Sequence, residues 1–257
     1  MTRRGNPERF LSDPAGATFD AGNLATGKGL IGGDPRRRTQ RTGHLYAPLD
    51  GALLQVADLA AEPYQARLAQ FLARGHLEIE IGFGDGAFLL DRARKHPTHQ
   101  FLGFEVRWEG VKPVLETIQA EGLSNVLVSG DDARYALARA LPPACAQVIH
   151  VLLPDPWWKR RHQHRRMFTP FTVDLYARTL VCSGLLHVKT DVPAYADLIA
   201  DVVAASGQFS PPDAALAARF ADTVPTTREA WCLANGYPVT TFCFQRLAAP
   251  GESTRET

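Results

Sequence analysis

Apolar and polar positions along the chain alternate between strand-like and helix-like blocks. Leu77-Glu78-Ile79-Glu80-Ile81 changes character residue by residue, as a strand does, and the turn Gly82-Phe83-Gly84-Asp85-Gly86 leads from it into a helical run over 87–95. His96-Pro97 ends that helix, and 101–106 reads as a second strand, which completes a βαβ unit. The alternation continues with a helix over 111–120, a strand over 126–128, a helix over 133–141 and an apolar strand over 148–153. After a basic loop come a helix over 171–180, a turn at Cys182-Ser183-Gly184, a strand over 185–189, a helix over 195–204 and a last strand over 239–244. Upstream, 53–72 has helical spacing broken near Glu62-Pro63, which predicts two short helices or one kinked helix. Strands separated by helices need crossover connections. The pattern therefore predicts a doubly wound, Rossmann-like α/β fold with a mainly parallel sheet.

Composition narrows this picture without changing it. The chain has 257 residues, 45% of them hydrophobic, enough for a sizeable core and too long for a disulfide-stapled miniature. Residues 1–44 are rich in Gly, Arg and Pro and lack apolar periodicity, so a flexible N-terminal arm is expected there. Its Arg36-Arg37-Arg38 and Arg41 suit either a phosphate backbone or a solubilising tail. The folded domain is expected over 45–250, with a short tail over 251–257. Cys145, Cys182, Cys232 and Cys243 form no CxxC pair, which fits reduced thiols. With no signal-type apolar segment and no run near the ~18 residues that span a bilayer, a soluble, cytoplasmic protein is expected.

The chemistry is expected at the C-terminal edge of the sheet, where open α/β sheets bind ligands. Gly82, Gly84 and Ala87 satisfy the permissive G-x-G-x-x-A form of a dinucleotide fingerprint, and Glu105 stands where a carboxylate holds ribose hydroxyls. A nicotinamide-dependent oxidoreductase is thus one reading. Glu80 argues against it, because a carboxylate immediately before the glycines repels a pyrophosphate. S-adenosylmethionine has no phosphate and carries a sulfonium, an ammonium and a ribose diol, so it suits a pocket ringed by acids. Asp132 and Asp155, after the third and fourth strands, extend that rim, although Asp132 is also well placed as a helix N-cap.

After the fourth strand, Pro154-Asp155-Pro156-Trp157-Trp158 brackets one carboxylate between two prolines, which stiffens the backbone around it. Lys159-Arg160-Arg161-His162-Gln163-His164-Arg165-Arg166 follows and carries +5 in a chain whose net charge is only +1. Positive charge gathered beside the expected active edge is the footprint of a nucleic-acid substrate. A non-catalytic RNA-binding module would explain this strip but not the acids at successive strand ends. His162 and His164 have no third ligand nearby in the sequence, so no metal site is expected.

From Leu77 to Arg246 the chain resembles the bacterial tRNA (guanine-N7-)-methyltransferases. The resemblance runs through Glu80-Ile81-Gly82-Phe83-Gly84, Gly103-Phe104-Glu105, Pro154-Asp155-Pro156-Trp157-Trp158-Lys159-Arg160-Arg161-His162, Arg165-Arg166, and Thr190-Asp191 followed by Tyr195. It implies a class I S-adenosylmethionine-dependent methyltransferase domain acting on guanine 46 in the tRNA variable loop. Glu80, Gly82, Glu105, Asp132 and Asp155 would bind the cofactor, and Asp155 would also be catalytic. Lys159, Asp191, Thr226 and Glu229 would bind substrate, and Arg161, His162, Arg165 and Arg166 would contact RNA. Thr226-Thr227-Arg228-Glu229 matches the family's Thr-x-x-Glu element, with Gly236 beyond it, but carries Thr227 and Arg228 where the family usually has Lys and Phe. N7 of guanine bears a free lone pair, so its methylation needs positioning and no base to deprotonate it. A carboxylate from Asp155 or Asp191 is the expected acceptor for the guanine N1 and N2 hydrogens.

Overall fold

A computed structural model describes residues 62–248, so the N-terminal arm, the helical spacing before Glu62 and the C-terminal tail lie outside the described residues. Six strands form one sheet: β1 (Leu77–Ile81), β2 (Gln100–Phe104), β3 (Val126–Ser129), β4 (Ala146–Leu152), β5 (Leu180–Thr190) and β6 (Thr240–Gln245). Their spatial order is β3-β2-β1-β4-β5-β6, parallel throughout except for β6, which runs antiparallel to β5. The order reverses between β1 and β4, and this switch point places the cleft at the ends of those strands.

Helices α1 (Glu62–Leu72), α4 (Ala133–Arg139), α5 (Pro170–Thr179) and α6 (Pro193–Ala205) pack one apolar face of the sheet, where Ile79, Leu102, Ile149 and Val188 meet Phe71, Leu137, Tyr176 and Ile199. On the other face, α2 (Ala87–Lys95) and α3 (Trp108–Glu121) bury Leu89, Val111 and Leu115 against Phe101, Val126 and Val128. Gly103 has to be glycine here, because a Cβ would lie 2.6 Å from Leu89 Cδ2 and 2.7 Å from Phe83 Cδ1. Farther along this face, Phe220 after the short helix α7 (Ala214–Ala218) covers Val148 and Leu185.

Within the sheet, two features depart from the sequence pattern. The turn expected at Cys182-Ser183-Gly184 is instead part of β5, with Ser183 at φ 64° and its backbone N–H donating to Arg246 O while Arg246 N–H donates to Gly184 O. Pairing with the segment after β6 holds the chain extended through a left-handed residue, which local turn chemistry could not foresee. The alternation in β1 also does not mean one wet face, since all five of its residues are buried. Glu78 and Glu80 lie inside the protein, on the face covered by α2 and α3.

Candidate active site

The glycine loop after β1 is fastened from β2. Gly82 N–H donates to Phe104 O at 2.7 Å, Gly84 N–H to Glu105 Oε2 at 3.1 Å and Arg107 N–H to Glu105 Oε1 at 2.8 Å. Gly82 and Gly84 have φ of 80° and 59°, and a Cβ built on either meets nothing within 4 Å, so glycine here serves both the left-handed turn and an open approach to the backbone. Gly110, in the first turn of α3, lies so close that a Cβ would stand 2.3 Å from Gly84 O. Glu105 thus shapes the loop and walls the cavity beside it.

That cavity, about 480 Å³, is bounded by Gly82, Glu105, Asp131, Asp132, Asp155 and Arg165 among others. A second cavity of about 870 Å³ runs from Gly82, Gly84 and Asp85 to Thr226, Thr227, Arg228 and Trp231. The two share Gly82, Arg107, Leu152 and Leu153, so they adjoin across the ends of β1 and β4. Acids at successive strand ends therefore converge on one concavity, although each is held differently. Asp132 caps α4, accepting from Arg134 N–H at 3.0 Å, and pairs with the buried Arg134 guanidinium at 2.9 and 2.6 Å. Arg134 also donates to His164 O, which ties α4 to the basic segment. Asp131, not singled out in the sequence, joins the wall and accepts from the Ser129 hydroxyl at 3.1 Å.

Glu80 is in neither wall. It lies 1% exposed beneath the glycine loop, and no side chain among the described residues donates to its carboxylate, which has only the Leu89 backbone N–H beside it. Burial, followed by the negative charges of Asp85 and Glu105, pushes its pKa up to about 8. A buried carboxyl without a cationic partner, behind a ring of acids and open glycines, suits a ligand that brings positive charge, and opposes a pyrophosphate.

The Pro154-Asp155-Pro156 turn is strained on both sides. Leu153 and Trp157 hold φ of 52° and 44°, uncommon for residues with a Cβ, and such strain collects where a structure fixes a site. Asp155 emerges exposed at the cavity wall, with no hydrogen bond from the described residues. Lys159 then caps the 3-10 helix Arg160–Arg165, none of whose residues is buried. Arg161 is exposed, Arg165 lies over the Trp157 ring at 4.9 Å, and His162 stands 5.5 Å from the same ring. Desolvation, with Arg165, Arg161 and Lys159 adding their charge, holds His162 below the ordinary imidazole value. Arg166, expected on the RNA-facing strip, is buried instead: it donates to Pro156 O at 3.0 Å and lies 5.4 Å from the Trp158 ring centroid. Its work is to hold the Pro-Asp-Pro turn.

The Thr-x-x-Glu element opens a helix, α8 (Thr227–Ala234), that the apolar pattern did not reveal. Thr226 is its N-cap, accepting from Glu229 N–H at 3.1 Å, and Glu229 pairs with Lys189 of β5 at 2.6 Å. Thr three residues before Glu, with Gly236 just beyond the end, is the signal that marks such a helix in a sequence. The two residues that depart from the family pattern make the tethers: Thr227 donates to Asp85 in the glycine loop, and Arg228 pairs with Asp191 at 2.5 Å. Asp191 also accepts from the Cys232 thiol at 3.5 Å, so of the two carboxylates expected to hold guanine, Asp155 is the less engaged.

His162 and His164 join no metal-like cluster among the described residues. His76, Glu78 and His99 do come within ligand spacing of one another, at the opposite, N-terminal edge of the sheet, but Glu78 there already accepts both ends of the Arg92 guanidinium, at 2.6 and 2.7 Å.

Comparison with known proteins agrees with this architecture. A family model described as "Putative methyltransferase" matches residues 74–241. A tRNA (guanine-N(7)-)-methyltransferase from Thiobacillus denitrificans is 35% identical over 77% of this chain and 89% of its own length, and one from Myxococcus xanthus is 34% identical over 66% and 84%. Another from Nitrosococcus oceani reaches 41%, over 51% of this chain and 56% of its own length, so that match spans little more than half of the relative. Among solved structures, the 16S rRNA methyltransferase KamB superposes with a TM-score of 0.52 at 16% identity, covering 71% of this chain and 94% of that one. This likeness is one of fold. Glycine loop, strand-end acids and Pro-Asp-Pro turn lie in one cleft, and the sequence likeness extends across most of this chain: it belongs to the tRNA (guanine-N(7)-)-methyltransferase family.

Proposed function

We propose that this protein transfers a methyl group from S-adenosylmethionine to N7 of guanine 46 in the variable loop of tRNA. The observation that carries the reading is the exposed Asp155, held between two positive-φ residues at the junction of an acidic cavity and a basic segment. When bound, the cofactor supplies an electrophilic methyl on a sulfonium. Glu105 and Asp132 would face it from the cavity wall, Gly82 would admit it to the backbone, and Glu80 would supply negative charge from beneath. The acidic lining disfavours the nicotinamide reading, and family membership together with the cleft disfavours a purely RNA-binding module.

Asp155 accepts hydrogen bonds from the guanine N1 and N2 hydrogens, which turns N7 toward the methyl group. Nothing need remove a proton from N7, so positioning supplies the catalysis. Lys159, Arg161 and Arg165 hold the RNA backbone, neutral His162 adds a polar or stacking contact, and buried Arg166 fixes the turn that carries Asp155. Asp191, Thr226 and Glu229 set the α8 side of the substrate cleft through Arg228 and Lys189.

The test is methyl transfer from radiolabelled S-adenosylmethionine to unmodified tRNA transcripts with and without guanine at the variable-loop position, followed by nucleoside analysis. Label in 7-methylguanosine that vanishes with the guanine supports the proposal. Label in another nucleoside, or none, overturns it.

A further inference from the structure

Beside the larger cavity, α8 and the turn after it display side chains that methyl transfer itself does not require. Trp231 and Tyr237 are 46% and 50% exposed, and their rings stack with centroids 5.2 Å apart and planes 19° from parallel. The Arg228 guanidinium carbon lies 4.7 Å from the Trp231 ring centroid, which extends the stack with a cation. Large rings left half in water forgo burial that a packed position would give them, and a cluster of them at a cleft marks a binding surface.

The cluster is also held in place. Thr226 caps the helix, Glu229 pairs with Lys189 at 2.6 Å, Arg228 pairs with Asp191, and Tyr237 N–H donates to Cys232 O at 2.9 Å after the left-handed Gly236. Trp231 and Arg228 wall the larger cavity, which adjoins the one that Asp155 and Arg165 enter. The stack therefore stands at the rim of the cleft, displaced from its acidic floor.

We propose that Arg228, Trp231 and Tyr237 form a stacking platform for an unpaired nucleobase of the RNA, next to the guanine that is methylated. The proposal rests on the reading that tRNA is the substrate. Single-stranded RNA segments stack their bases on aromatic rings and guanidinium planes, and every base offers a π face, so such a platform binds without reading sequence. Arg228 and the nearby basic segment complement the phosphates between the two bases. A seat on the rim suits a flanking base, since the target must reach Asp155.

The experiment measures tRNA affinity, its salt dependence, S-adenosylmethionine affinity, and KM and kcat for guanine methylation in the full chain and in Trp231→Leu, Trp231→Phe and Tyr237→Leu. Leucine keeps apolar bulk and removes the π face. The platform predicts that each leucine variant weakens tRNA binding about tenfold and raises KM with little change in kcat, while Trp231→Phe stays within about threefold of wild type. Cofactor affinity and the slope of affinity against salt should not change, because stacking releases no counterions. Wild-type tRNA affinity in Trp231→Leu, in an enzyme that still methylates tRNA, overturns the platform and spares the assigned reaction. A leucine variant that also loses cofactor affinity, or shows a shallower salt slope, overturns it in favour of a packing or charge role. A wild-type chain that neither binds nor methylates tRNA overturns both readings.

Discussion

Glu78 and Glu80 project from the same face of β1, each 1% exposed, yet they are opposites in chemistry. Glu78 accepts from Arg92 Nε and Nη2 at 2.6 and 2.7 Å and from His150 Nε2 at 3.0 Å, and His99 Nδ1 lies 3.2 Å away. Burial alone would raise its pKa. Hydrogen bonds from His150, His99 and Arg92, with His76 approaching to 3.4 Å, outweigh that and hold Glu78 well below the usual carboxylate range. The network continues from His150 Nδ1 to His187 Nδ1 at 3.0 Å, and burial holds both imidazoles below their ordinary value. One tautomer fits these contacts: neutral His150 donates through Nε2 to Glu78 and accepts at Nδ1 from neutral His187, whose Nε2 is left without a partner among the described residues. Glu80, one pleat toward the cleft, has no such partners, and its pKa is raised to about 8. At the N-terminal end of the strand a buried charge is fully compensated for the sake of the fold. At the C-terminal end the compensation is missing, in keeping with a cationic ligand that would supply it.

Breaking the compensated end should have the largest effect. Glu78→Ala leaves Arg92 buried without its carboxylate and should cost about 3–5 kcal/mol of stability, read from the urea midpoint. Next comes the exposed carboxylate. Asp155→Asn should lower kcat by two to three decades, about 2–4 kcal/mol of barrier, with the urea midpoint unchanged. Near-normal turnover in the Asp155→Asn variant would remove Asp155 from the mechanism.

Glu80→Gln sharpens the comparison, because it should lose function and not stability. A carboxyl whose folded pKa is raised contributes stability that is fully present below its unfolded value and is lost as pH rises through the folded value. The window for Glu80 therefore runs from about 4.5 to about 8. Glu80→Gln should flatten stability across that window, be no less stable than wild type at pH 8, and bind S-adenosylmethionine about tenfold more weakly. In wild type, cofactor binding at about pH 7 should release a proton as Glu80 ionises, detectable by calorimetry in buffers of different ionisation enthalpy. The smallest expected effects lie in the basic segment. Lys159→Gln or Arg161→Gln should reduce the salt slope of tRNA binding by about one each, with cofactor affinity unchanged.

Much of this was legible in the residues. Strand alternation, the glycine turn and the two prolines each encode a local backbone preference, so β1, the loop and the Asp155 turn stand where the pattern put them. The acids at strand ends follow from parallel topology, which brings every such end to one edge. Helix α8 was missed because its eight residues bury only Glu229 and Cys232, so no core-facing apolar stripe announces it, and its start is marked only by a cap. Arg166 could not be told from Arg161 by charge, since what separates them is whether Trp158 and Pro156 O happen to lie alongside.

By itself, then, the sequence determined the alternation of strands and helices from β1 to β4, which edge collects the acids, and that positive charge gathers beside that edge. Only tertiary structure decided which charges are compensated. The partners of Glu78 lie 14 and 72 residues away in Arg92 and His150, and Thr227 meets Asp85 across 142 residues. A charge's environment is set by what the sheet and helices bring within a few ångströms, and no local pattern records that distance.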